Sequence, residues 1–153
     1  MQNQKNDTQS VDCMRNDAVL RTMMRLRKRS HERKFMKSDR LSEMSLYFSV
    51  EIIELVKRLK MQKEYIVSAQ IGRSGTSIGA NIHEAHYAQS AKDFVSKFEI
   101  ALKEASETSY WLKVLYRTDY ISEEEFHALD GKCTSLRAML VHSCKTVKER
   151  NSL

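Results

Sequence analysis

Proline is absent from this chain, and only four glycines occur among its 153 residues. Folds that depend on many tight turns are disfavoured, and the simplest reading is long helices joined by short connections. No apolar run approaches the roughly 20 residues that a membrane-spanning helix needs. No apolar stretch follows the charges near the N-terminus, which argues against a secretory signal. Cysteine is scarce as well. Cys13, Cys133 and Cys144 form an odd set without metal-site spacing, as expected of free thiols in a reducing, cytoplasmic compartment. Cys133 and Cys144 stand about three turns apart on one helix, too far for a bridge between them.

The residues that are present fall into two unequal parts. A hydrophobic content of 41% suffices for one core, and a charged content of 30% is ordinary for a soluble domain. The net charge is +6; residues 1–41 hold 11 Lys/Arg against 5 Asp/Glu, and residues 42–153 hold 15 of each. The basic excess therefore lies wholly in an N-terminal extension, residues 1–41. Residues 1–18 are polar and aperiodic, the pattern of a disordered segment. Residues 19–37 place Leu20, Met23, Met24 and Leu26 among arginines, the pattern of a basic helix whose thin apolar content makes it marginal alone. The cluster Arg25, Arg27, Lys28, Arg29, Arg33 and Lys34 is the strongest electrostatic feature. Such clusters hold phosphate backbones without reading sequence, and the grip weakens steeply with salt. The alternative is a solvated tail.

Residues 42–150 read as four amphipathic helices. In the first, Leu46, Val50, Ile53 and Val56 recur at three- and four-residue steps, and Ile52, Leu55 and Leu59 broaden that face. In the second, Ile71, Gly75, Ile78, Ile82 and Ala85 do the same, with Ala69, Thr76 and Ala80 beside them. Ser90 with Asp93 resembles a capping box ahead of the third helix. That helix carries Phe94, Phe98, Ala101, Ala105, Thr108, Leu112 and Leu115, the alternating four and three of a bundle seam. Ser122 caps the fourth helix, with Glu123, Glu124 and Glu125 in the first turn, where the helix dipole favours acids. Phe126, Leu129, Cys133, Leu136, Leu140, Cys144 and Val147 form its apolar side. Short connections make successive helices antiparallel, so the expected fold is all-α, an up-down-up-down four-helix bundle.

The stretch "GRSGTSIGAN" is glycine-rich like a phosphate loop, but it has neither the lysine of a Walker loop nor a preceding strand. Each of Gly72, Gly75 and Gly79 costs about 1 kcal/mol relative to alanine inside a helix. Close contact with another helix is the natural compensation, and Gly75-x-x-x-Gly79 suits it. Counting outward from the turn near residue 88 brings Arg73 to the level of Glu104, with Glu107 one turn further. A buried or half-buried Arg–Glu network is expected there, specifying the bundle rather than performing chemistry.

Taken together, "RSGTSIGAN", "EAHYAQSAKDF", "ALKEASETSYWLKVL" and "TDYI" resemble the bacterial four-helix bundles historically called 23S rRNA intervening-sequence proteins. Those bundles are similar to the accessory variability protein of diversity-generating retroelements. The resemblance spans about Met36 to Lys148, and its most specific residues include Arg73, Gly75, Ile78, Asn81, Glu84, Phe94, Glu104, Glu107, Trp111 and Leu112. It implies a ring-shaped homopentamer and, for the retroelement relatives, partnership with nucleic acid and a reverse transcriptase. It adds Asn81 and Glu84 to the polar network of Arg73, Glu104 and Glu107. It leaves Gly75, Ile78, Gly79, Phe94, Phe98 and Leu112 as helix-packing residues. Members start at sequences like "MKSDRL", so residues 1–35 here read as an addition or as upstream sequence translated from a misplaced start. His83 and His86 also depart from the family pattern.

Those histidines stand three apart in "HEAH", whereas the zinc motif needs four, so a surface pair is the better reading than a metal site. Tyr110, Trp111, Tyr116 and Tyr120 lie late in the third helix or just after it, outside the main seam. They fit either bundle packing or a subunit contact. With no nucleophile–base pair, metal site or cofactor loop, the chain reads as non-enzymatic. The leading expectation is an oligomer that binds RNA, DNA or a nucleic-acid-processing protein. The alternative is an oligomeric scaffold that binds only proteins.

Overall fold

The computed structural model describes residues 40–152. The basic cluster Arg25 to Lys34 and Cys13 lie outside the described residues. Four helices follow in order: α1, described over residues 40–61, α2 (Ile66–Ala85), α3 (Ala91–Arg117) and α4 (Glu123–Asn151). No strand occurs among the described residues.

The helices stop without glycine or proline. Lys63 and Asp119 take the left-handed conformation at φ 62° and 61°. At the end of α1, the Lys63 and Glu64 N–H groups donate to the carbonyls of Lys60 and Leu59. At the end of α3, Asp119 and Tyr120 do the same to Tyr116 and Leu115. This double bond pattern satisfies carbonyls that a helix end would orphan, and it needs one residue at positive φ. Glu64 then serves the next helix. Its carboxylate accepts from the N–H groups of Ile66, Val67 and Ser68, at 2.9, 2.9 and 2.6 Å. A buried anion thus sits on the positive end of α2. Ser90 and Ser122 cap α3 and α4 through the Asp93 and Glu125 N–H groups. Asp93 also accepts from the Gln89 N–H.

Cross-helix contacts give the topology. Gly75 faces Ile52 and Gly79 faces Ser49, which sets α1 antiparallel to α2. Arg73–Glu107 and Glu84–Lys97 set α2 antiparallel to α3. Ser109–Asp130 and Glu99–Lys148 join α3 to α4. Arg58–Glu125 and Glu51–Lys132 close the circuit between α1 and α4. Each helix has two neighbours, so α1 and α3 stand diagonally across the bundle. The core is built from Phe48, Ile52, Leu55, Ile71, Ile78, Leu112, Leu136 and Leu140, all about fully buried.

One helix is turned differently from the sequence reading. On α1 the buried line runs Leu41, Ser45, Phe48, Ile52, Leu55 and Leu59. Val56 is half-buried, while Leu46, Val50 and Ile53 are 63%, 52% and 41% exposed. Both stripes are apolar at helical spacing. The inner one was disguised by Ser45, whose hydroxyl escapes the polar penalty by donating to its own helix at the Ser42 carbonyl, 2.7 Å away. On α2, Ala69 and Ala80 likewise face solvent.

A polar pair crosses the core between α2 and α3. The buried Thr108 hydroxyl lies 3.0 Å from Ser74 Oγ and 2.8 Å from the Glu104 carbonyl oxygen. One proton serves one acceptor, so Thr108 donates to the carbonyl and Ser74 donates to Thr108. Replacing Thr108 with valine strands the Ser74 hydroxyl. The expected cost is roughly 1–3 kcal/mol, most of it recovered in the Ser74→Ala/Thr108→Val double variant. Urea titrations of the unaltered protein, the Thr108→Val and Ser74→Ala single variants and the double variant measure this directly; strictly additive losses would sink the pairing.

Candidate functional site

The residues expected to form one polar network occupy separate contacts. Arg73 bonds Glu107 at 2.6 Å, at the surface rather than in the core. Glu107 also accepts from the Trp111 indole N–H at 3.2 Å. Asn81 donates to the Ser77 carbonyl of its own helix at 2.9 Å. Glu84 pairs with Lys97 at 2.5 Å, and that carboxylate pushes the Lys97 ammonium above its ordinary range. Glu104 joins neither pair, and its Oε2 is buried without a hydrogen-bond partner. The packing residues lie where contact is tightest. Gly75 and Ile78 are buried, Gly79 and Phe94 half-buried, and Phe98 and Leu112 belong to the core. Phe94 and Phe98 pack ring on ring at 4.3 Å.

His83 meets the Tyr87 ring edge-on at 5.6 Å, and the His86 Nε2 lies 2.8 Å from the Ser42 hydroxyl. The two imidazoles therefore serve different contacts. Among the described residues no group of three or more His, Cys, Asp or Glu side chains is placed to hold a metal ion. No described helix is long and apolar enough to cross a membrane.

Both described cysteines are buried. The Cys133 thiol donates to the Ala105 carbonyl at 3.1 Å, and burial pushes its pKa up to about 12. Burial raises Cys144 as well. The thiolate is the reactive form, so Cys133 is expected to resist alkylation at pH 8 until the protein unfolds; peptide mass mapping after iodoacetamide treatment checks it. The sign for stability follows from the same shift. A pKa raised on folding gives a contribution that is complete below the unfolded thiol's pKa and is lost as pH rises towards about 12.

Two surfaces stand out. The first is the outer stripe of α1, where Leu46, Tyr47, Val50 and Ile53 are all exposed. It is a continuous apolar line on a helix whose opposite side already serves the core, the pattern of an interaction face. The second is the outer side of α3. Lys103, Tyr110 and Arg117 follow at seven-residue steps, so they lie on one face, with Lys113 between them. All four are exposed, and the three cations make no ion pair among the described residues. The Tyr110 ring meets Trp111 at 4.9 Å with an interplanar angle of 73°. Trp111 is tied to Glu107, and Glu107 to Arg73, so the tyrosine is presented from an anchored base. The other late aromatics split: Tyr116 stacks on Phe126 at 5.1 Å inside the bundle, and Tyr120 stays exposed.

The 23S rRNA-intervening sequence protein family model matches residues 37–142. No curated protein matches. Among solved structures, a protein of unknown function from the S23 ribosomal protein family of Bacteroides thetaiotaomicron is 48% identical. The match covers 71% of this chain and 98% of that one, with a TM-score of 0.70.

Proposed function

Since the chain belongs to the 23S rRNA-intervening sequence protein family, we propose that it is a non-enzymatic, self-associating bundle that holds nucleic acid or a nucleic-acid-processing protein. The observation that carries self-association is the second apolar stripe on α1, with Leu46 63% and Val50 52% exposed. Leaving it in water forgoes the burial energy of several large side chains, and a second copy of the chain offers the same surface in return. A homopentamer is the arrangement the family resemblance favours. Nucleic acid is favoured by the six cations between Arg25 and Lys34, which a ring would gather into one field and so raise avidity.

A second reading has its own support. Residues 42–153 carry 15 Lys/Arg against 15 Asp/Glu, which suits an oligomeric scaffold for proteins alone. The deciding experiment is oligonucleotide binding by the full chain across a salt series, with native mass recorded on the same samples. A multimer whose affinity for RNA or DNA falls steeply with salt supports the first reading. A multimer that binds neither at low salt leaves the scaffold, and a monomer overturns both.

A further inference from the structure

We propose that the outer face of α3 is a contact for single-stranded nucleic acid, with Tyr110 stacking on a base and Lys103, Lys113 and Arg117 taking the flanking phosphates. This rests on the nucleic-acid reading above and gives it a place on the folded bundle.

The charge is the first argument. The folded part is neutral in sum, yet its cations are unevenly spent. Lys57, Arg58, Arg73, Lys97, Lys132 and Lys148 are each held by a carboxylate. Lys103, Lys113 and Arg117 are not; the acids one helical turn from Lys103 on that face, Glu99 and Glu107, are occupied by Lys148 and Arg73, and Glu104, its neighbour in the chain, keeps one carboxylate oxygen buried. A local positive field therefore survives on this face.

The aromatic is the second argument. Tyr110 is 60% exposed, and its ring packs edge-on against Trp111. A solvent-facing ring between cations is the arrangement that binds single strands, since every unpaired base offers a π-face. In a duplex the bases are stacked on one another, and such a ring has nothing to stack on. Lys103 and Arg117 stand about 21 Å apart along the helix axis. At about 3.4 Å per stacked nucleotide, that length spans roughly six nucleotides. The face is also diagonal to α1, so occupying it leaves the outer stripe of α1 uncovered.

The chain's one tryptophan is Trp111, which supplies a local reporter. A labelled oligothymidylate is titrated into the full chain, following label anisotropy and Trp111 emission together. The same titration is made on the full chain with Arg25, Arg27, Lys28, Arg29, Arg33 and Lys34 all replaced by alanine. In that second background Trp111 emission is expected to change with binding. Tyr110→Ala should weaken affinity roughly 5- to 150-fold. The Lys103→Ala/Lys113→Ala/Arg117→Ala variant should lower the salt slope by about 2, from three phosphates at about 0.7 each. Melting curves confirm folding, which exposed positions should leave unchanged.

Binding with Trp111 silent and Tyr110→Ala without effect overturns this inference while leaving the nucleic-acid function to the basic segment. So does loss of all binding in the tail-neutralised chain. Unchanged oligonucleotide affinity with an altered native mass in Tyr110→Ala makes the face a protein contact instead. No binding by the unaltered chain at low salt removes the nucleic-acid reading itself.

Discussion

Replacing Gly75 with leucine is expected to unfold the bundle or to lower its melting temperature by more than about 10 °C. A Cβ at this position would lie 2.9 Å from both Ile52 Cγ1 and Ile52 Cγ2, closer than carbon atoms can approach. Ile52 cannot yield. It is fully buried, and a β-branched side chain in a helix has essentially one χ1 rotamer. Relief would have to come from moving α1 and α2 apart, which would open the packing beside Gly72 and Gly79 as well. Forcing extra methylenes into a packed core costs about 1–3 kcal/mol and occasionally more, and leucine brings four carbons. A loss above about 3 kcal/mol would consume much of the stability of a small domain and shift its melting point accordingly. Gly131 is the internal control. Nothing lies within 4 Å of a Cβ built there, so Gly131→Ala should recover about 0.5–1 kcal/mol of helix propensity. Thermal melts of the two variants must move in opposite directions. Equal behaviour would mean that α2 does not approach α1 as closely as the contact implies.

A Leu46→Glu/Val50→Glu variant is expected to abolish self-association while leaving each subunit folded. These positions are 63% and 52% exposed within the bundle, so glutamate there meets water in an isolated chain at little cost. In an assembled ring the same two carboxylates would lie in an apolar contact without partners, and desolvating them would exceed what the contact returns. Light scattering should report the multimer for the unaltered chain and a single chain mass for the variant, with helical circular dichroism preserved. A variant that keeps the parent mass would place the subunit contact elsewhere. The Ile52→Glu variant makes the contrast explicit, because that residue lies on the inner stripe and its substitution should unfold the protein.

Much of this architecture was legible in the residues. The α3 seam from Phe98 to Leu115 and the α4 ladder from Leu129 to Cys144 stand where their spacing put them, and Ser90 and Ser122 cap as their contexts implied. Three features were not. Periodicity identifies an apolar stripe but cannot rank two of them on one helix, and α1 has two. The core chose the one containing Phe48, although Ser45 made it look more polar. Counting residues from a turn gives the height of a side chain but not the direction in which it leaves the helix. Arg73 therefore meets Glu107 rather than Glu104, and Asn81 turns back onto its own backbone. The helix ends were silent for a third reason. Lys63 and Asp119 hold the left-handed positions where glycine is the usual signal, and the anchor of α2 is a glutamate one residue outside the normal capping position.

The order in which the helices meet has a consequence for how the chain folds and opens. Three of the four seams join helices consecutive in sequence, so most contacts form within hairpins that need only short excursions of the chain. The seam between α1 and α4 is the exception, with Arg58 bound to Glu125 and Glu51 bound to Lys132 across separations of 67 and 81 residues. These pairs are solvent-exposed and contribute little stability. The bundle therefore behaves like a folded screen: its panels are hinged in sequence, and the free edges of the first and last panels meet last. Thermal opening should begin at that edge, and amide exchange should reach the facing sides of α1 and α4 before it reaches the glycine-lined joint between α1 and α2.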